Sequence, residues 1–468
     1  MKFVNTSGNT VYIEDIDLHI PYSESQETHE IESDMIKKSK AFQKLVILGA
    51  FSIVEANDSR IEQNLIKLQK DHKKKEDELQ SIEETRMDSG NGPEIVLKGH
   101  FYDAGGYSKV NRNLAIILHK MGVKVEINPT STRNSDLNEI EASQMNLLKR
   151  KVGKNAIKID SIIPSFSEMS GTLSYRILYT TVESCSIPKQ TVDVCNAYNE
   201  VWVTSDFCKD VLLKHGVKRE IYVIPSSVDV NLYKENIKPH LFRPPLKPFS
   251  FISVFGWSYR KGYDALLKAY LQSFTGDDPV SLLIVSRYQY ATDSSKFIKQ
   301  EIDKYIKQYG GNNPPHIARC NKVIPEHCMP NIYKAASAFV LPSRGEGFGM
   351  PYCEASMCGL PVISTNYSGQ TMFLNKDNSY LVDIDNLIKL KPGMMHVHYW
   401  DNQLFPDLTS KEFIDKFAET MKYVYNNYEE SINKNKLLQQ YIIKEISKEA
   451  AGKKAKARID EIWKQIRK

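Results

Sequence analysis

Apolar positions in residues 94–224 alternate between short runs and longer stretches with helical spacing. The short runs predict six strands, at 95–97, 123–127, 157–163, 176–180, 201–204 and 221–224. The stretches at 107–121 and 205–215 place apolar residues at i, i+3 and i+4, which predicts helices between the strands. Strands that alternate with helices predict a parallel sheet covered by helices.

The same pattern starts again after a proline-rich break at residues 239–248. It predicts strands at 249–255, 280–286, 323–324, 338–341 and 361–364, and helices at 263–274, 294–309 and 329–336. Helical spacing returns after about residue 410. Two consecutive α/β repeats joined by a hinge predict an α/β protein with two Rossmann-like domains facing each other across a cleft.

Residues 1–92 follow a different pattern. Alternation at 10–20, helical spacing at 31–42 and an apolar run at 44–54 predict a strand, a helix and a strand, hence a small α+β module. Charged residues with helical spacing then predict a helical spacer that ends in a linker. Asp15 and Asp17 form a D-x-D pattern, but their place in an alternating strand favours two solvent-facing carboxylates over a metal site.

The chain is therefore expected to have five parts. They are an accessory α+β module at 1–58, the spacer and linker at 59–92, an N-terminal Rossmann-like domain at 93–240, a C-terminal Rossmann-like domain at 241–409, and helices at 410–468 that pack back across the domains. A chain of 468 residues is too long for a single core, which agrees with several domains.

Composition and charge narrow the class of protein without naming a partner. Hydrophobic residues make up 41% and charged residues 25%, as in ordinary soluble proteins, and the net charge of +5 permits an anionic ligand without arguing for nucleic acid. Apolar runs are too short for a transmembrane helix, and the first residues lack the apolar region of a signal peptide. We therefore expect a cytoplasmic protein that is not transmembrane.

A glycine-rich segment between the last two predicted strands carries the strongest chemical signal. Glu346 and Glu354 are separated by seven residues, and Gly345, Gly347 and Gly349 surround the first glutamate. A strand, a glycine turn and a helix start place backbone N–H groups where anions bind. Carboxylates accept hydrogen bonds from sugar or ribose hydroxyls. Two merely exposed glutamates would not explain the glycines, so a binding function is favoured here.

Three further segments fit the same interpretation, and each also has a plain structural explanation. Gly105 and Gly106 form a turn before a predicted helix, which suits a phosphate or a simple strand-to-helix connection. Arg260 and Lys261 follow a predicted strand, where they suit a diphosphate or form a surface basic pair. Backbone groups at 318–325 suit contact with a base edge or an ordinary strand.

Together these segments resemble the retaining family-4 glycosyltransferases of GT-B fold, also called glycosyl transferases group 1. The resemblance covers about residues 94–468. It rests on EGFGMPYCE at 346–354, on WSYRKG at 257–262 and on the Gly105-Gly106 loop. The ordered set of motifs is more specific than any one of them.

The resemblance implies roles for particular residues. Arg260 and Lys261 would bind the donor diphosphate and stabilise charge on the leaving group, so no metal is implied. Glu346 would contact the donor sugar, and Glu354 would hold the ribose hydroxyls. Glu183 matches a glutamate of some family members, which implies an acceptor-side or catalytic role.

Further contacts are implied for main-chain and apolar groups around the cleft, namely Gly105, Gly106, Val323, Ile324, Gly347, Phe348, Gly349 and Met350. The first two would close over the diphosphate from the N-terminal domain. The next two stand where the family contacts the nucleobase. The last four would meet sugar hydroxyls and phosphate.

The implied function is transfer of a sugar from a nucleotide-sugar to an acceptor hydroxyl, with retention of configuration and without metal or cofactor. A UDP-sugar is the expected donor, with GDP- and ADP-sugars as alternatives. The acceptor stays open between a glycan, a lipid, a protein and modified DNA. A different alternative is a binding or scaffold protein that contacts a partner through residues 1–90 and carries a vestigial transferase half.

Overall fold

The structure is a computed structural model. It describes residues 2–5, 11–13, 18–20, 28–30, 39, 42, 51–55, 92–103, 105–130, 145–146, 148–164, 175–233, 237–288, 290, 292–395 and 398–467. The chain divides into two units, Met1–Asp88 and Ser89–Lys468.

The first unit contains short antiparallel strands. They are β1 (Lys2–Asn5), β2 (Val11–Ile13), β3 (Leu18–Ile20), β4 (Thr28–Glu30) and β5 (Phe51–Glu55). Strand β1 lies between β4 and β5, and β2 pairs with β3 so that Val11 lies opposite Ile20. The single strand predicted at 10–20 is therefore wrong. Alternation has the same period in one long strand and in two paired strands, so the pattern did not separate them.

Several predictions for this unit lie outside the described residues. They concern Asp15, Asp17, most of the helix at 31–42, the first part of the strand at 44–54, and the spacer at 59–91. Within the last predicted strand, the described part begins at Phe51.

The N-terminal half of the second unit is built on six parallel strands. They are β6 (Glu94–Gly99), β7 (Lys124–Pro129), β8 (Ile157–Ser161), β9 (Arg176–Thr180), β10 (Glu200–Val203) and β11 (Glu220–Val223), in the order β11-β10-β9-β8-β6-β7. Helices α1 (Gly106–Lys120), α2 (Lys189–Asn196) and α3 (Asp206–Lys214) connect some of them. The chain reverses its winding direction between β6 and β8, and Gly105 and Gly106 follow β6 at that point.

The C-terminal half repeats this plan. Its parallel strands are β12 (Phe249–Gly256), β13 (Val280–Arg287), β14 (His316–Cys320), β15 (Ala338–Leu341), β16 (Val362–Thr365) and β17 (Tyr380–Val382), in the order β14-β13-β12-β15-β16-β17. Its helices are α4 (Tyr263–Ser273), α5 (Ser294–Tyr309), α6 (Met329–Tyr333) and α7 (Met350–Met357). The prediction of two Rossmann-like domains is confirmed.

One strand of this half was predicted at the wrong place. The structure has β14 at His316–Cys320, whereas residues 323–324 lie in the connection after it. Strand β14 is an edge strand whose residues are all partly exposed, so its sequence HIARC lacks the apolar run of a buried strand. The apolar pair Val323 and Ile324 instead precedes Pro325, which begins a 3-10 turn.

A two-stranded hairpin and three helices follow. The hairpin strands are β18 (Leu387–Lys389) and β19 (Leu404–Pro406), and the helices are α8 (Lys411–Asn426), α9 (Tyr428–Tyr441) and α10 (Lys448–Ile466). Phe413, Phe417 and Met421 of α8 are buried in the core of the C-terminal half.

Helix α10 returns to the N-terminal half. Its residues Ala455, Ile459 and Ile462 are fully buried in the core that contains β6 and α1. Arg458 donates to the buried carboxylate of Glu200 over 2.6 Å, at the first residue of β10. One half is thus completed by a helix that follows the other half in sequence.

Candidate functional site

The two loops that follow β12 and β15 meet where the second sheet reverses its winding direction. Strands β12 and β15 are parallel neighbours, so their carboxyl ends lie at the same edge. The backbone N–H of Arg344, after β15, donates to the carbonyl of Arg260, after β12, over 2.7 Å. This edge is where an open parallel sheet binds its ligands.

A buried arginine braces these loops. Arg344 is fully buried and pairs through two hydrogen bonds of 2.7 Å with both carboxylate oxygens of Asp264. It also donates to the carbonyl of Tyr259 and lies over the Tyr259 ring, 3.7 Å from its centre. A bidentate arginine–carboxylate pair has a fixed geometry, so Arg344 holds the turn that presents Arg260 and Lys261.

The first glutamate of the motif lies beside both predicted cations. The ammonium of Lys261 donates to the two carboxylate oxygens of Glu346 over 2.5 and 2.7 Å, and Arg260 lies 3.6 Å from the same carboxylate. Burial acts to raise the pKa of Glu346, but Lys261 and Arg260 together outweigh it and hold the pKa below its ordinary value. Glu346 is therefore a buried carboxylate anion in this arrangement.

The predicted acceptor-side glutamate joins the same cluster from the N-terminal half. Oε1 of Glu183 lies 3.3 Å from Arg260, and Oε2 accepts a 3.0 Å hydrogen bond from the indole N–H of Trp400. The Trp400 ring centre lies 5.2 Å from the Arg260 guanidinium. The site cluster, defined as Glu183, Arg260, Lys261 and Glu346, thus combines two cations and two carboxylates from both halves.

The glycines around Glu346 have a structural reason that the sequence did not reveal. A Cβ at Gly345 would overlap the carbonyl of Glu183, and a Cβ at Gly347 would overlap the hydroxyl of Thr181. Gly347 also accepts hydrogen bonds at its carbonyl from the N-terminal half, among them one of 2.7 Å from Ser205. These two glycines let the loop approach the other half closely.

The remaining loop residues begin helix α7. Gly349 has φ of +96° at the N-cap, a conformation that favours glycine. Phe348 is buried and packs against Phe373. Met350 contacts the cores of both halves, and a Cβ at Gly106 would lie 3.7 Å from its methyl group.

The Gly105-Gly106 loop therefore lies opposite the start of α7, across the two halves. Its first backbone N–H, that of Gly105, donates to a carboxylate oxygen of Asp103 over 2.7 Å. The other Asp103 oxygen accepts from Ser108. Asp103 thus satisfies one of the N–H groups that a bound phosphate would use.

The second glutamate of the motif lies on α7 in a separate cluster, which we call the tie cluster: Lys109, Arg112, Glu326 and Glu354. Lys109 Nζ, on α1, lies 2.5 Å from Glu354 and 3.0 Å from Glu326. Arg112 lies 3.5 Å from Glu326. The other oxygen of Glu354 accepts a 2.8 Å hydrogen bond from the hydroxyl of Tyr333. Both oxygens of Glu354 are therefore engaged.

The two residues predicted to contact the nucleobase are not fully buried. Val323 is 37% exposed, and Ile324 is partly buried against the core of the C-terminal half. Val323 precedes Glu326 of the tie cluster by three residues, and Ile324 precedes it by two. The structure thus brings the predicted residues into two neighbouring groups around the cleft, one at the site cluster and one near Glu354.

Five contributors were missed by the sequence analysis: Lys109, Arg112, Glu326, Arg344 and Trp400. Lys109 and Arg112 are one helical turn apart directly after the glycine turn, which could have indicated a charged face toward the cleft. Arg344 and Trp400 gave no such signal, because their partners Asp264 and Glu183 are distant in sequence.

The same described ranges contain neither a metal-binding cluster nor a membrane-spanning helix. There, no group of three histidine, cysteine, aspartate or glutamate side chains is arranged to hold a metal ion. No helix in that part of the chain combines the length and apolar character needed to cross a bilayer.

Comparison with known proteins gives partial sequence matches. Residues 247–392 match the family described as glycosyl transferases group 1. The chain is 49% identical over 43 residues to O-antigen chain mannosyltransferase B of Escherichia coli, covering 9% of this chain and 11% of that protein. It is 27% identical over 169 residues to mannosylfructose-phosphate synthase of Agrobacterium fabrum, covering 34% and 36%. The chain thus spans about a tenth and about a third of these curated relatives.

Solved structures match over a longer range and show the fold. Anabaena HepE in complex with UDP and glucose gives a TM-score of 0.52 at 13% identity, covering 79% of this chain and 100% of that one. Sucrose-phosphate synthase from Thermosynechococcus elongatus gives 0.55 at 16% identity, covering 80% and 99%. The chain therefore has the GT-B fold, and its residues 247–392 are similar to the glycosyl transferases group 1 family.

Proposed function

We propose that this protein transfers a sugar from a nucleotide-sugar to an acceptor hydroxyl, with retention of configuration and without a metal ion. One observation carries the proposal: Arg260, Lys261 and Glu346 meet at the ligand-binding edge of the second sheet, inside the range that matches glycosyl transferases group 1. Two fixed cations at this edge suit a diphosphate leaving group.

The cations would act when the sugar–phosphate bond breaks. The bond between the anomeric carbon and the phosphate oxygen breaks with its electron pair on the phosphate, where Arg260 and Lys261 stabilise the new charge. The acceptor oxygen bonds to the anomeric carbon from the face that the phosphate leaves. Its proton passes to the departing phosphate oxygen, which accounts for retention without a protein nucleophile.

Donor binding would change the ionic contacts of both clusters. The site cluster is formally neutral, so phosphate oxygens would compete with Glu346 and Glu183 for Arg260 and Lys261. The ribose hydroxyls would compete with Lys109 for Glu354. The proposed donor complex therefore differs from the described arrangement in these contacts.

A UDP-sugar is the first donor that we propose, because the HepE structure of the same fold holds UDP and glucose. GDP- and ADP-sugars are the alternatives. The acceptor supplies a hydroxyl, and glycans, lipids, proteins and modified DNA remain candidates. Residues 1–90 are proposed as a contact region for a partner.

A panel of UDP-, GDP- and ADP-sugars tests the proposal by thermal shift. A true donor at about 100 times its Kd stabilises the folded state by about 2.7 kcal/mol, which raises the unfolding midpoint. The same donors are then followed for hydrolysis and for transfer to added acceptors, and the anomeric configuration of the product is assigned by NMR. EDTA should leave the rate unchanged.

The matched variants are Lys261→Met and Lys299→Met. Lys261 belongs to the site cluster, whereas Lys299 forms an exposed pair with Asp303 on α5. Donor stabilisation should be smaller in the first variant and unchanged in the second. If no donor stabilises the wild-type protein and none is turned over, the proposed transferase function is wrong. The scaffold alternative would then be favoured.

A further inference from the structure

The hairpin β18–β19 brings a segment of the C-terminal half against the N-terminal half. Its residue Leu404 accepts a 2.8 Å hydrogen bond from the hydroxyl of Ser184, and its N–H donates to the hydroxyl of Ser186 over 2.7 Å. Trp400 lies just before β19, in a 3-10 turn. This part of the segment follows residue 392, where the family match ends.

Trp400 contacts two members of the site cluster, one from the N-terminal half and one from the C-terminal half, through different parts of its side chain. Its indole N–H donates to Oε2 of Glu183, and its ring covers the guanidinium of Arg260. The contact between Arg260 and Glu183 joins the guanidinium to Oε1, at 3.3 Å. Trp400 thus donates to the second oxygen, for which it would compete with a two-bond arginine–carboxylate pair.

We propose that Trp400 is a positioning residue that keeps Glu183 from holding Arg260 through both oxygens. An arginine paired with both oxygens of a carboxylate has fewer donors left for another anion. With Oε2 held by the indole N–H, Arg260 keeps donors for the phosphate oxygens of the nucleotide. This inference rests on the proposed function, in which Arg260 binds the donor diphosphate.

The position of Arg260 supports this role. Its side chain is 11% exposed, and its Nε atom is buried without a hydrogen-bond partner in the described part of the chain. The ring of Trp400 contributes a cation–π contact to the same guanidinium. The indole N–H and the ring therefore have separable effects, which a phenylalanine can distinguish.

The experiment compares binding of UDP to the full chain and its variants by calorimetry. Trp400→Phe keeps an aromatic ring but removes the N–H, so it should weaken UDP binding about tenfold while the unfolding midpoint stays near that of the wild type. Trp463→Phe is the control, because Trp463 is buried in the core of the N-terminal half and its indole N–H has no partner in the described residues.

A rescue variant separates positioning from packing. Glu183→Gln removes the carboxylate that would hold Arg260, so Trp400→Phe combined with Glu183→Gln should bind UDP within about threefold of Glu183→Gln alone. A packing role for Trp400 predicts no rescue. Wild-type affinity in Trp400→Phe, or a double variant no better than Trp400→Phe, would overturn the inference.

A second measurement does not depend on nucleotide binding. The chain has four tryptophans, so the indole N–H signal of Trp400 can be identified by NMR as the one missing in Trp400→Phe. Glu183→Gln should shift that signal, and an unchanged signal would overturn the inference. Failure of UDP, GDP and ADP to bind the wild type would instead count against the proposed function, while the NMR result still decides the role of Trp400.

Discussion

Lys109 and Lys261 are two largely buried lysines, each paired with one glutamate of the same motif. Each ammonium lies 2.5 Å from its carboxylate, Glu354 for Lys109 and Glu346 for Lys261. Their pKa values nevertheless shift in opposite directions. The pKa of Lys109 is raised above its ordinary value, and the pKa of Lys261 is lowered.

The difference comes from the neighbours of each ammonium. Burial alone would lower the pKa of Lys109, but Glu354 and then Glu326 outweigh it. For Lys261 burial is again the largest cause, and it prevails because Glu346 compensates only in part and the adjacent Arg260 adds a like charge. Lys109 thus contacts two glutamates, Glu354 and Glu326, whereas Lys261 contacts one glutamate and lies beside a second cation.

The comparison assigns different tasks to the two glutamates of the motif. Glu354 joins the halves through Lys109, and Glu346 holds two cations at the edge of the second sheet. A bound diphosphate would add negative charge beside Lys261 and Arg260. Three experiments test this distinction.

Replacing Lys109 with methionine should have the largest effect on stability. The substitution leaves the largely buried carboxylates of Glu354 and Glu326 without the lysine that they share, and removing one partner of a buried ion pair costs about 3 kcal/mol. Urea unfolding of the full chain measures the loss. Lys299→Met should change the stability by less than about 0.5 kcal/mol, since its pair is exposed. Equal stability losses in the two variants would contradict the interpretation that Lys109 joins the two halves.

Replacing Lys261 with methionine should affect ligand binding more than stability. Glu346 keeps Arg260 as a neighbouring cation, and one incompletely compensated charge is no longer buried, so we expect a smaller loss than in Lys109→Met, about 1 kcal/mol. UDP binding should weaken about tenfold or more, because a charge-assisted contact is lost. Calorimetry and urea unfolding measure the two quantities, and a stability loss as large as that of Lys109→Met would remove the distinction.

The smallest expected effect is on the binding of protons to Lys261. Because the folded-state pKa of Lys261 lies below its ordinary value of 10.5, this lysine makes stability rise with pH between those two values. Lys109 has a raised pKa, so its contribution is complete below its ordinary value of 10.5 and is lost only as pH rises through the folded pKa. A bound diphosphate should return the pKa of Lys261 toward 10.5 and cause proton uptake at alkaline pH.

Calorimetry of UDP binding at a series of pH values below 10.5, in buffers with different ionisation enthalpies, detects this uptake. The binding heat should depend on the buffer in the wild type and in Lys109→Met, and much less in Lys261→Met. Buffer-independent heat in the wild type would show that the pKa of Lys261 does not respond to the ligand.

Much of the fold was predictable from the sequence because its strands are buried and its helices are regular. The strand at Arg176–Thr180 and the helix at Ser294–Tyr309 have the predicted bounds. The edge strand β14 was misplaced because partly exposed strands need no apolar run. Strands β2 and β3 were merged because a hairpin keeps the alternation of a single strand.

The candidate site was predictable only in part. Two sequence features indicated the edge of the second sheet where the site cluster lies. They are the spacing of Glu346 and Glu354 and the basic pair at 260–261. The reason for Gly345 and Gly347 depends on Glu183 and Thr181, which belong to the other half. Contacts between such distant segments follow from the packing of the two halves, and local patterning does not contain them.

Helix α10 also bears on the order in which the protein can fold during synthesis. The core around β6 and α1 is completed by Ala455, Ile459 and Ile462, which the ribosome adds after the entire C-terminal half. The C-terminal half can bury most of its own core first, although its partner began synthesis earlier. We therefore expect nascent chains stopped before residue 448 to stay sensitive to protease in residues 94–224, a reversal of the usual N-terminal-first order.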